Sequence, residues 1–293
     1  MPIASTGRTL PRISVLTIVR GRRKHLQRQR RALDQSSVKP GEWIIVSMGE
    51  DPPQLDVGIE TITDRVDGER ELPLAKARRR AAELATGDVL VYLDVDCIPH
   101  PDCLGYLAEA AADGGLWMGD VRYLPKGVPA SDDWTSVDLN KAAVPHPLLP
   151  ELRPGEKLEA KHEMFWSLCF AVRSDVWETI GGFDPGYTGY GAEDTDVGFA
   201  ARKAGVPFGY VGARVWHQHH SVCVPPLNHV EDLVANARRF HDRWNVWPMD
   251  KWLAALDDAG FVRFDPDANV CEVVRVPTED EIAAATVDTP AGF

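Results

Sequence analysis

The segment from Asp88 to Asp96, which reads D-V-L-V-Y-L-D-V-D, constrains the fold of this chain more than any other. Its apolar run, Val89 to Leu93, is continuous rather than alternating, which is typical of a strand buried on both faces of a parallel sheet. Asp94 and Asp96 follow at once. Because residues two apart in extended backbone lie on the same side, both acids can face one hard divalent cation. A pair of solvated loop acids would show the same spacing.

Strands and helices alternate through the first hundred residues. Apolar strands are predicted at Ile13 to Val19, Trp43 to Ser47 and Val89 to Leu93. A basic helix follows the first strand to about Leu33, and a second helix covers Leu74 to Ala85. This order predicts a parallel sheet with right-handed crossovers. Ligands of such sheets bind at the carboxyl ends of the strands, which is where Asp94 and Asp96 lie.

Two common phosphate-binding motifs are missing from the sequence. No G-x-G-x-x-G follows the first strand, and G-x-x-x-x-G-K-[ST] does not occur, so neither a dinucleotide-binding Rossmann site nor a P-loop is supported. A ligand whose diphosphate is screened by the divalent cation would then be held by a metal on Asp96 and by arginines. Basic residues do cluster after the first strand: Arg20, Arg22, Arg23, Lys24, Arg28, Arg30 and Arg31. They lie where the start of a helix would meet phosphates, or they form a solvated helix face.

A second polar segment, Gly181 to Gly205, combines a glycine-rich loop with a helix. Glu193, Asp194 and Asp196 crowd the first turn of that helix. Acids there are common as caps, because the free amides and the helix dipole stabilise them. One cap needs one carboxylate, so three acids beside a glycine loop favour at least one of them facing a ligand.

Histidines end the next predicted strand, where Val215 to His220 reads V-W-H-Q-H-H. A neutral imidazole at a strand end can bind a divalent ion. His217 together with Asp96 would give the mixed nitrogen and oxygen shell that suits manganese or magnesium. Alternatively, His219 and His220 beside it indicate incidental surface affinity for metals.

Composition excludes several classes of function. The net charge of −12 disfavours broad electrostatic attraction to nucleic acid or anionic lipid except at a local patch, so no nucleic-acid partner is expected. The 5 cysteines lack C-x-x-C pairing, which favours a reducing compartment over a disulfide framework. No apolar run approaches the roughly 20 residues of a membrane span, and Met1 to Leu10 lacks the apolar centre of a signal peptide. We expect a soluble, cytoplasmic protein for which peripheral membrane contact stays open.

From Ile13 to His220, the sequence resembles the family 2 glycosyltransferases of the GT-A fold. Its first half resembles the nucleotide-sugar half of that family through Ala77-Arg78, Thr86-Gly87-Asp88 and Leu93-Asp94-Val95-Asp96-Cys97. Its second half, G-G-F-D-P through Y-G-A-E-D-T-D to W-H-Q, is similar to the galactosyltransferase-type module of β-1,4-galactosyltransferases, polypeptide N-acetylgalactosaminyltransferases and bacterial chondroitin polymerase. The implied fold is α/β of the GT-A type, with a mostly parallel central sheet flanked by helices and a C-terminal helical extension.

The resemblance also divides the chain into regions. Residues 10–224 are expected to form the GT-A domain, with a nucleotide-binding half at 10–100 and an acceptor or catalytic half at 101–224. Residues 225–293 are expected to form the helical extension and an acidic tail. The amphipathic pattern of Val230 to Trp244 favours core packing or a subunit contact, the latter giving a homo-oligomer, over stacking on sugars.

Roles for individual residues follow from the resemblance. Matching the nucleotide site are Thr17, Val19, Arg20, Arg78, Asp94 and Val95, with Asp51 as the candidate base-contacting acid. Asp51 is uncertain because Ser47-Met48-Gly49 stands where many members carry an acid. Asp96 and His217 match ligands of Mn2+ or Mg2+. Asp194 matches the catalytic base of inverting members, and the acceptor or donor-sugar contacts would be Glu193, Trp166 and Ser167.

The implied activity is metal-dependent transfer of a hexose-type sugar from a UDP-sugar to the hydroxyl of a glycan, lipid-linked or small-molecule acceptor. The D-V-D sequence, where retaining polypeptide transferases carry D-x-H, favours inversion. A sugar-phosphate nucleotidyltransferase stays open, although Arg20-Gly21-Arg22-Arg23 is only a weak version of its glycine-rich loop. A catalytically silent sugar-nucleotide-binding protein also stays open, although the presence of both Asp96 and Asp194 argues against it.

Overall fold

A central sheet organises the part of the chain that this computed structural model describes, residues 11–55, 58–68 and 72–288. The predicted start of the GT-A domain at residue 10 and the end of the predicted tail, 289–293, lie outside the described residues.

The secondary structure elements are numbered along the chain. The strands are β1 (Ile13–Val19), β2 (Glu42–Met48), β3 (Thr61–Val66), β4 (Val89–Leu93), β5 (Cys97–Pro99), β6 (Leu116–Tyr123), β7 (Val144–Pro145), β8 (Lys157–Glu159), β9 (Cys169–Arg173), β10 (Phe208–His217), β11 (Val222–Cys223), β12 (Val262–Asp265), β13 (Val270–Val273) and β14 (Thr286–Val287). The α-helices are α1 (Arg23–Asp34), α2 (Leu74–Leu84), α3 (Cys103–Ala112), α4 (Ser136–Ala142), α5 (Ser174–Ile180), α6 (Glu193–Lys203), α7 (Val230–Trp244), α8 (Asp250–Asp258) and α9 (Glu279–Ala285). Short 3-10 turns lie at His162–Met164 and Leu227–His229. None of the helices in the described ranges is long and apolar enough to cross a bilayer.

The central sheet has the strand order β3-β2-β1-β4-β9-β6-β10-β5. Its first half, β3 to β4, is parallel as predicted. Its second half is mixed, because β9 runs antiparallel to both β4 and β6, and β5 and β8 run antiparallel to β10. The expected α/β fold with helices against the sheet is confirmed. The expectation of a mostly parallel sheet holds only for the first half, since a buried apolar run reads the same in either direction.

The continuous apolar strands are explained by helices on both faces of the sheet. In β1, Leu16 and Ile18 join the core cluster that also contains residues of α2, α5 and α6. Val15 and Val19 join the other cluster, with residues of α1 and α3. Alternate side chains of a strand point to opposite faces, so a strand covered on both sides is apolar at most positions, and its polar members, such as Thr17, bond within the core.

One predicted strand begins too early. The apolar run from Phe165 predicts a strand to Val172, but β9 begins only at Cys169. The N–H of Phe165 instead donates to the carbonyl of His162, closing the 3-10 turn, and the N–H of Trp166 donates to Met118 Sδ at 3.2 Å. Tertiary contacts therefore override the strand propensity of this run.

The C-terminal extension packs on itself and on the glycine-rich loop. Leu233 and Leu253, from α7 and α8, share a buried cluster with Phe261, which precedes the β12–β13 hairpin. Asn236 of α7 bonds the backbone of the loop at Thr188 and Tyr190. The predicted acidic tail also folds back, because β14 pairs with β11 directly after the end of the sheet domain.

The contact between α6 and the 3-10 turn at His162–Met164 yields a prediction on stability. A Cβ added at Gly198 would lie 2.3 Å from the carbonyl oxygen of His162. Gly198→Ala should therefore lower the free energy of unfolding by about 1–3 kcal/mol, measured by urea denaturation. Gly58→Ala is the control, because its Cβ would meet nothing within 4 Å. Equal stability of the two variants would contradict the close packing of α6.

Candidate functional site

The turn after β4 is held in place by a buried amide that the sequence analysis did not single out. Gln29 of α1 donates through Nε2 to the carbonyl oxygens of Asp94 at 2.8 Å and Cys97 at 3.0 Å. Its Oε1 accepts from the hydroxyl of Thr17 at 2.8 Å. The N–H of Asp94 donates to the carbonyl of Leu168. Helix α1 and the strand bearing the two acids are thus joined by one buried network.

Asp96 lies within a cluster of nitrogen donors. Because β5 and β10 pair with Cys97 opposite His217, the end of β10 reaches Asp96. His217 Nε2 is 3.3 Å from Asp96 Oδ1, and His220 Nε2 is 3.5 Å from Oδ2. The ligand atoms of Asp96, His217 and His220 all lie within 4.8 Å of one another, so this group can hold a metal ion. The guanidinium of Arg22 also contacts Oδ2 of Asp96.

The protonation states in this cluster suit metal binding. Burial lowers the pKa of His217 to about 4, so the imidazole is neutral at pH 7. Burial alone would raise the pKa of Asp96, but the positive charges facing it outweigh burial and lower this pKa. With His217 neutral, Arg22 is the cation that keeps Asp96 ionised. A metal requires the same forms, an ionised carboxylate and neutral imidazoles.

Arg78 of α2 connects this strand edge to the start of α6. Its guanidinium, 6% exposed, donates to Asp94 Oδ1 at 3.1 Å and to Glu193 Oε1 at 3.0 Å. Two acidic segments separated by about a hundred residues of sequence therefore meet around one cation. Burial raises the pKa of Asp94 to about 6, and burial with the charge of Asp194 raises that of Glu193 to about 7.

The three acids at the start of α6 have different environments. Asp196 is buried and accepts from Tyr187, Trp244 and Arg243, which tie α6 to α7. Glu193 is buried and its Oε2 has no hydrogen-bond partner. Asp194 is half-buried and accepts from the backbone N–H groups of Thr195 and Ser167. Burial raises its pKa. Asp194 is therefore the acid of this turn that combines access to solvent with raised basicity.

Capping accounts for only one of these acids. The N-cap of α6 is Ala192, in the left-handed region at φ 69°, and it provides no side-chain hydrogen bond. Asp194 accepts from the first-turn N–H of Thr195, whereas Asp196 bonds to α7 and Glu193 pairs with Arg78.

Aromatic rings pack beside His217 and near the residues that contact the start of α6. Tyr123 lies with its ring centroid 5.0 Å from that of His217, and His146 lies 4.9 Å from Trp166. On the other side, the ring of Tyr190 stacks on His229 of the C-terminal extension at 4.5 Å. Burial and the charges of Glu193 and Asp194 raise the pKa of Tyr190. Tyr190 precedes these acids by three and four residues in the sequence, but only the fold reveals its stacking on the C-terminal extension.

Other residues with an expected nucleotide role differ in burial and in hydrogen-bond partners. The hydroxyl of Thr17 accepts from Trp43 and donates to Gln29, so it is used inside the core. Asp51 is 95% exposed and pairs with Arg65. Glu50 instead accepts from the N–H of Gly21 at 2.7 Å, which makes it the acid of this loop that reaches the turn between β1 and α1.

The remaining expected residues lie along the strand ends. Val19 and Val95 are buried, and Arg20 is half-buried at the end of β1. Trp166 is half-buried, whereas Ser167 is buried and reaches Asp194 through its backbone N–H.

Comparisons with known proteins support the fold and one family. Residues 65–174 match the family described as Glycosyl transferase family 2. The match includes the D-V-D segment and ends before the glycine-rich loop, so the expected likeness of the second half to galactosyltransferase-type modules stays a prediction. No curated protein sequence matches the chain.

The chain is similar to several solved structures. A crystal structure of GalNAc-T7 with UDP, GalNAc and Mn2+ superposes with a TM-score of 0.55 at 18% identity, covering 72% of this chain and 44% of that one. Two structures of TarS from S. aureus have TM-scores of 0.49 and 0.48 at 15% and 14% identity. Each of these two alignments covers 79% of this chain. They cover 66% and 40% of the respective TarS chains. The similarity to GalNAc-T7 and the family match confirm the GT-A fold, and the family match supports a glycosyltransferase.

The buried position of Arg78 yields a second prediction. Arg78→Met removes the positive charge between Asp94 and Glu193 and leaves two buried acids without compensation. We expect a loss of about 3–5 kcal/mol in the free energy of unfolding at pH 8, measured by chemical denaturation. Arg79→Met, on the exposed side of the same helix, is the matched control and should show no measurable change.

This loss should depend on pH with a definite sign. The folded protein holds the protons of Asp94 and Glu193 with pKa values of about 6 and 7, above those of the unfolded chain. These acids therefore contribute most stability at low pH, and the contribution falls as pH rises through 6 to 7. Without Arg78 the ionised forms become costlier, so the deficit should be larger at pH 8 than at pH 5. A deficit independent of pH would contradict the proposed charge compensation.

Proposed function

We propose that this chain is a metal-dependent, inverting glycosyltransferase that moves a hexose-type sugar from a UDP-sugar to a hydroxyl of a glycan, lipid-linked or small-molecule acceptor. The observation that carries the proposal is the ion-pair chain through Arg78. It joins the acids after β4, beside the cluster of Asp96 with histidines, to the acids that begin α6. A leaving diphosphate and an incoming hydroxyl need such groups on opposite sides of one reacting carbon.

The donor side of the proposal rests on Asp96 and His217. Asp96 Oδ1 is buried without a hydrogen-bond partner, although a neutral imidazole lies beside it, and such a donor set fits Mn2+ or Mg2+. The ion, when bound, would screen the diphosphate and stabilise the charge that develops on UDP. Arg22 and Arg20, at the turn before α1, lie at the same strand ends and would contact the phosphates. GalNAc-T7, crystallised with UDP, GalNAc and Mn2+, offers a precedent for this donor and metal on the same fold.

Asp194 is the proposed catalytic base. Its half-buried carboxylate is oriented by two backbone N–H groups, and its raised pKa makes it a stronger proton acceptor than an ordinary aspartate. The acceptor hydroxyl would give its proton to Asp194 as it attacks the face of the sugar opposite the diphosphate, so configuration inverts. Glu193, tied to Arg78, would contact the acceptor, and Trp166 and Ser167 would line the sugar wall.

We propose fewer direct nucleotide contacts than the resemblance implies. Val19, Val95 and Asp94 stay candidates at the strand ends. Thr17 would contact uridine only through its backbone, because its hydroxyl is bonded within the core. Arg78 would act mainly by positioning Asp94 and Glu193, since both its bonded nitrogens already face acids.

Incubation with sugar phosphate and UTP separates this function from nucleotidyl transfer, because only the latter releases pyrophosphate.

Asp194→Asn tests the base. The variant keeps size and polarity but cannot accept the proton, so turnover should fall by roughly 10²- to 10⁴-fold. UDP binding with Mn2+, measured by calorimetry, should stay within a few-fold of wild type. Turnover is measured as UDP release from a panel of UDP-sugars in the presence of sugar acceptors. Asp51→Asn is the control, and a fully active Asp194→Asn enzyme would rule out the proposed base.

Asp96→Asn tests the metal dependence. Loss of the carboxylate removes the only anionic member of the group that can hold the ion. UDP should then bind equally weakly with and without Mn2+, whereas wild type should bind more tightly with it. Unchanged Mn2+ dependence in the variant would exclude Asp96 as a ligand.

A further inference from the structure

We infer that His220 is a third metal ligand, and that the resulting set of two imidazoles and one carboxylate selects a first-row transition-metal ion over Mg2+. The inference rests on the proposed metal-dependent function and deepens it by naming the class of ion. The sequence alone left His220 as incidental, because three histidines crowd the V-W-H-Q-H-H segment.

The nitrogen atoms of His217 and His220 lie close to the Asp96 carboxylate, at spacings that can be compared with those of ligands on one ion. Atoms bound to one ion at about 2.1 Å lie about 3.0–3.4 Å from one another. The observed separations are 3.3 Å from His217 Nε2 to Asp96 Oδ1 and 3.5 Å from His220 Nε2 to Asp96 Oδ2. The His217 separation falls within this range and the His220 separation exceeds it by about 0.1 Å, so a small closure of the group brings both histidines to ligand distance.

The contacts of the two histidines with the Asp96 carboxylate are not hydrogen bonds. Asp96 Oδ1 has no hydrogen-bond partner, even though the imidazole nitrogen of His217 lies beside it. Leaving a buried carboxylate oxygen unbonded is costly. A cation between these atoms would satisfy both of them.

The ring of His220 is oriented with Nε2 toward Asp96 and Nδ1 toward the backbone of Ser221. Its Nδ1 lies 3.0 Å from the carbonyl oxygen of Ser221. A carbonyl only accepts, so Nδ1 carries a proton and Nε2, which faces Asp96, is the nitrogen left to bind a metal; a second partner of this kind prepares a ligating imidazole. The segment is also anchored, because the N–H of Gln218 donates to the carbonyl of Asp96 at 2.7 Å. The side chain of His220 is 27% exposed, so an ion can reach it from solvent.

The composition of this set determines which ion it prefers. Mg2+ requires oxygen ligands in near-octahedral geometry and gains little from imidazole. The group offers it one carboxylate, on which Arg22 also lies. Transition-metal ions bind imidazole well, so the second histidine should raise their affinity without raising that of Mg2+. His220 is therefore inferred to determine selectivity.

The test compares His220→Asn with His219→Asn. His219 is the matched control because it adjoins His220 in sequence but is not a member of the metal-binding group. Calorimetric titrations of the purified full chain with Co2+, Mn2+ and Mg2+ give the affinity ratios. We expect His220→Asn to weaken Co2+ and Mn2+ by at least about tenfold while Mg2+ changes little. His219→Asn should keep the wild-type ratios. Since any site binds Co2+ more tightly than Mg2+, the change of the ratio decides, not the ratio itself.

A spectroscopic measurement covers the case in which His220→Asn folds poorly. In the wild-type Co2+ complex, paramagnetic NMR should show shifted imidazole N–H protons from two histidines. A single such proton, or an unchanged Co2+ to Mg2+ ratio in a folded His220→Asn protein, would overturn the inference. The proposed function fails separately, if the metal ratios change as expected but no UDP-sugar is turned over. Conversely, sugar transfer that depends on metal can coincide with metal affinity ratios that are the same in wild type and His220→Asn. That result would refute His220 as a third ligand and leave the proposed function intact.

Discussion

The buried guanidinium of Arg78 is the interaction on which the arrangement of the site depends. A carboxylate removed from water costs several kcal/mol unless an opposite charge and hydrogen bonds compensate it. Arg78 supplies both to Asp94 and Glu193, which belong to separate halves of the sheet domain. Because α2 carries Arg78 against β1 and β2, the packing of the first half sets where the acids of the second half can lie.

Neighbouring acids of the same type acquire different properties from their surroundings. The charges of His217 and Arg22 lower the pKa of Asp96 despite its burial, whereas burial raises the pKa of Asp94, two residues earlier. In α6, Asp194 stays half-open with raised basicity, while Asp196 is consumed by contacts to α7. The site thus separates an anionic side suited to a cation from a basic side suited to a proton. The C-terminal extension supports this separation, because α7 fixes both Asp196 and the loop bearing Tyr190.

Much of the fold was predictable from local pattern. The bounds of β1 and α7 agree with the predicted ones, since their apolar periodicity is continuous and their ends carry polar or turn residues. The strand expected from Phe165 began too early because apolar content does not reveal which backbone groups a turn will take. The helix α4, inside a region that reads as an irregular connection, is short and depends on the capping box of Thr135 and Asp138.

The sequence by itself determined that acids follow a buried strand, that three more begin a later helix, and that histidines end the last long strand. Those facts depend on periodicity and on residue type, which are local. Only the tertiary structure decided which acid of α6 is structural, that Glu50 rather than Asp51 turns toward the end of β1, and that His220 faces Asp96. These outcomes depend on distances between segments far apart in the chain, and electrostatic and hydrogen-bond energies change steeply over the few ångströms that local pattern cannot specify.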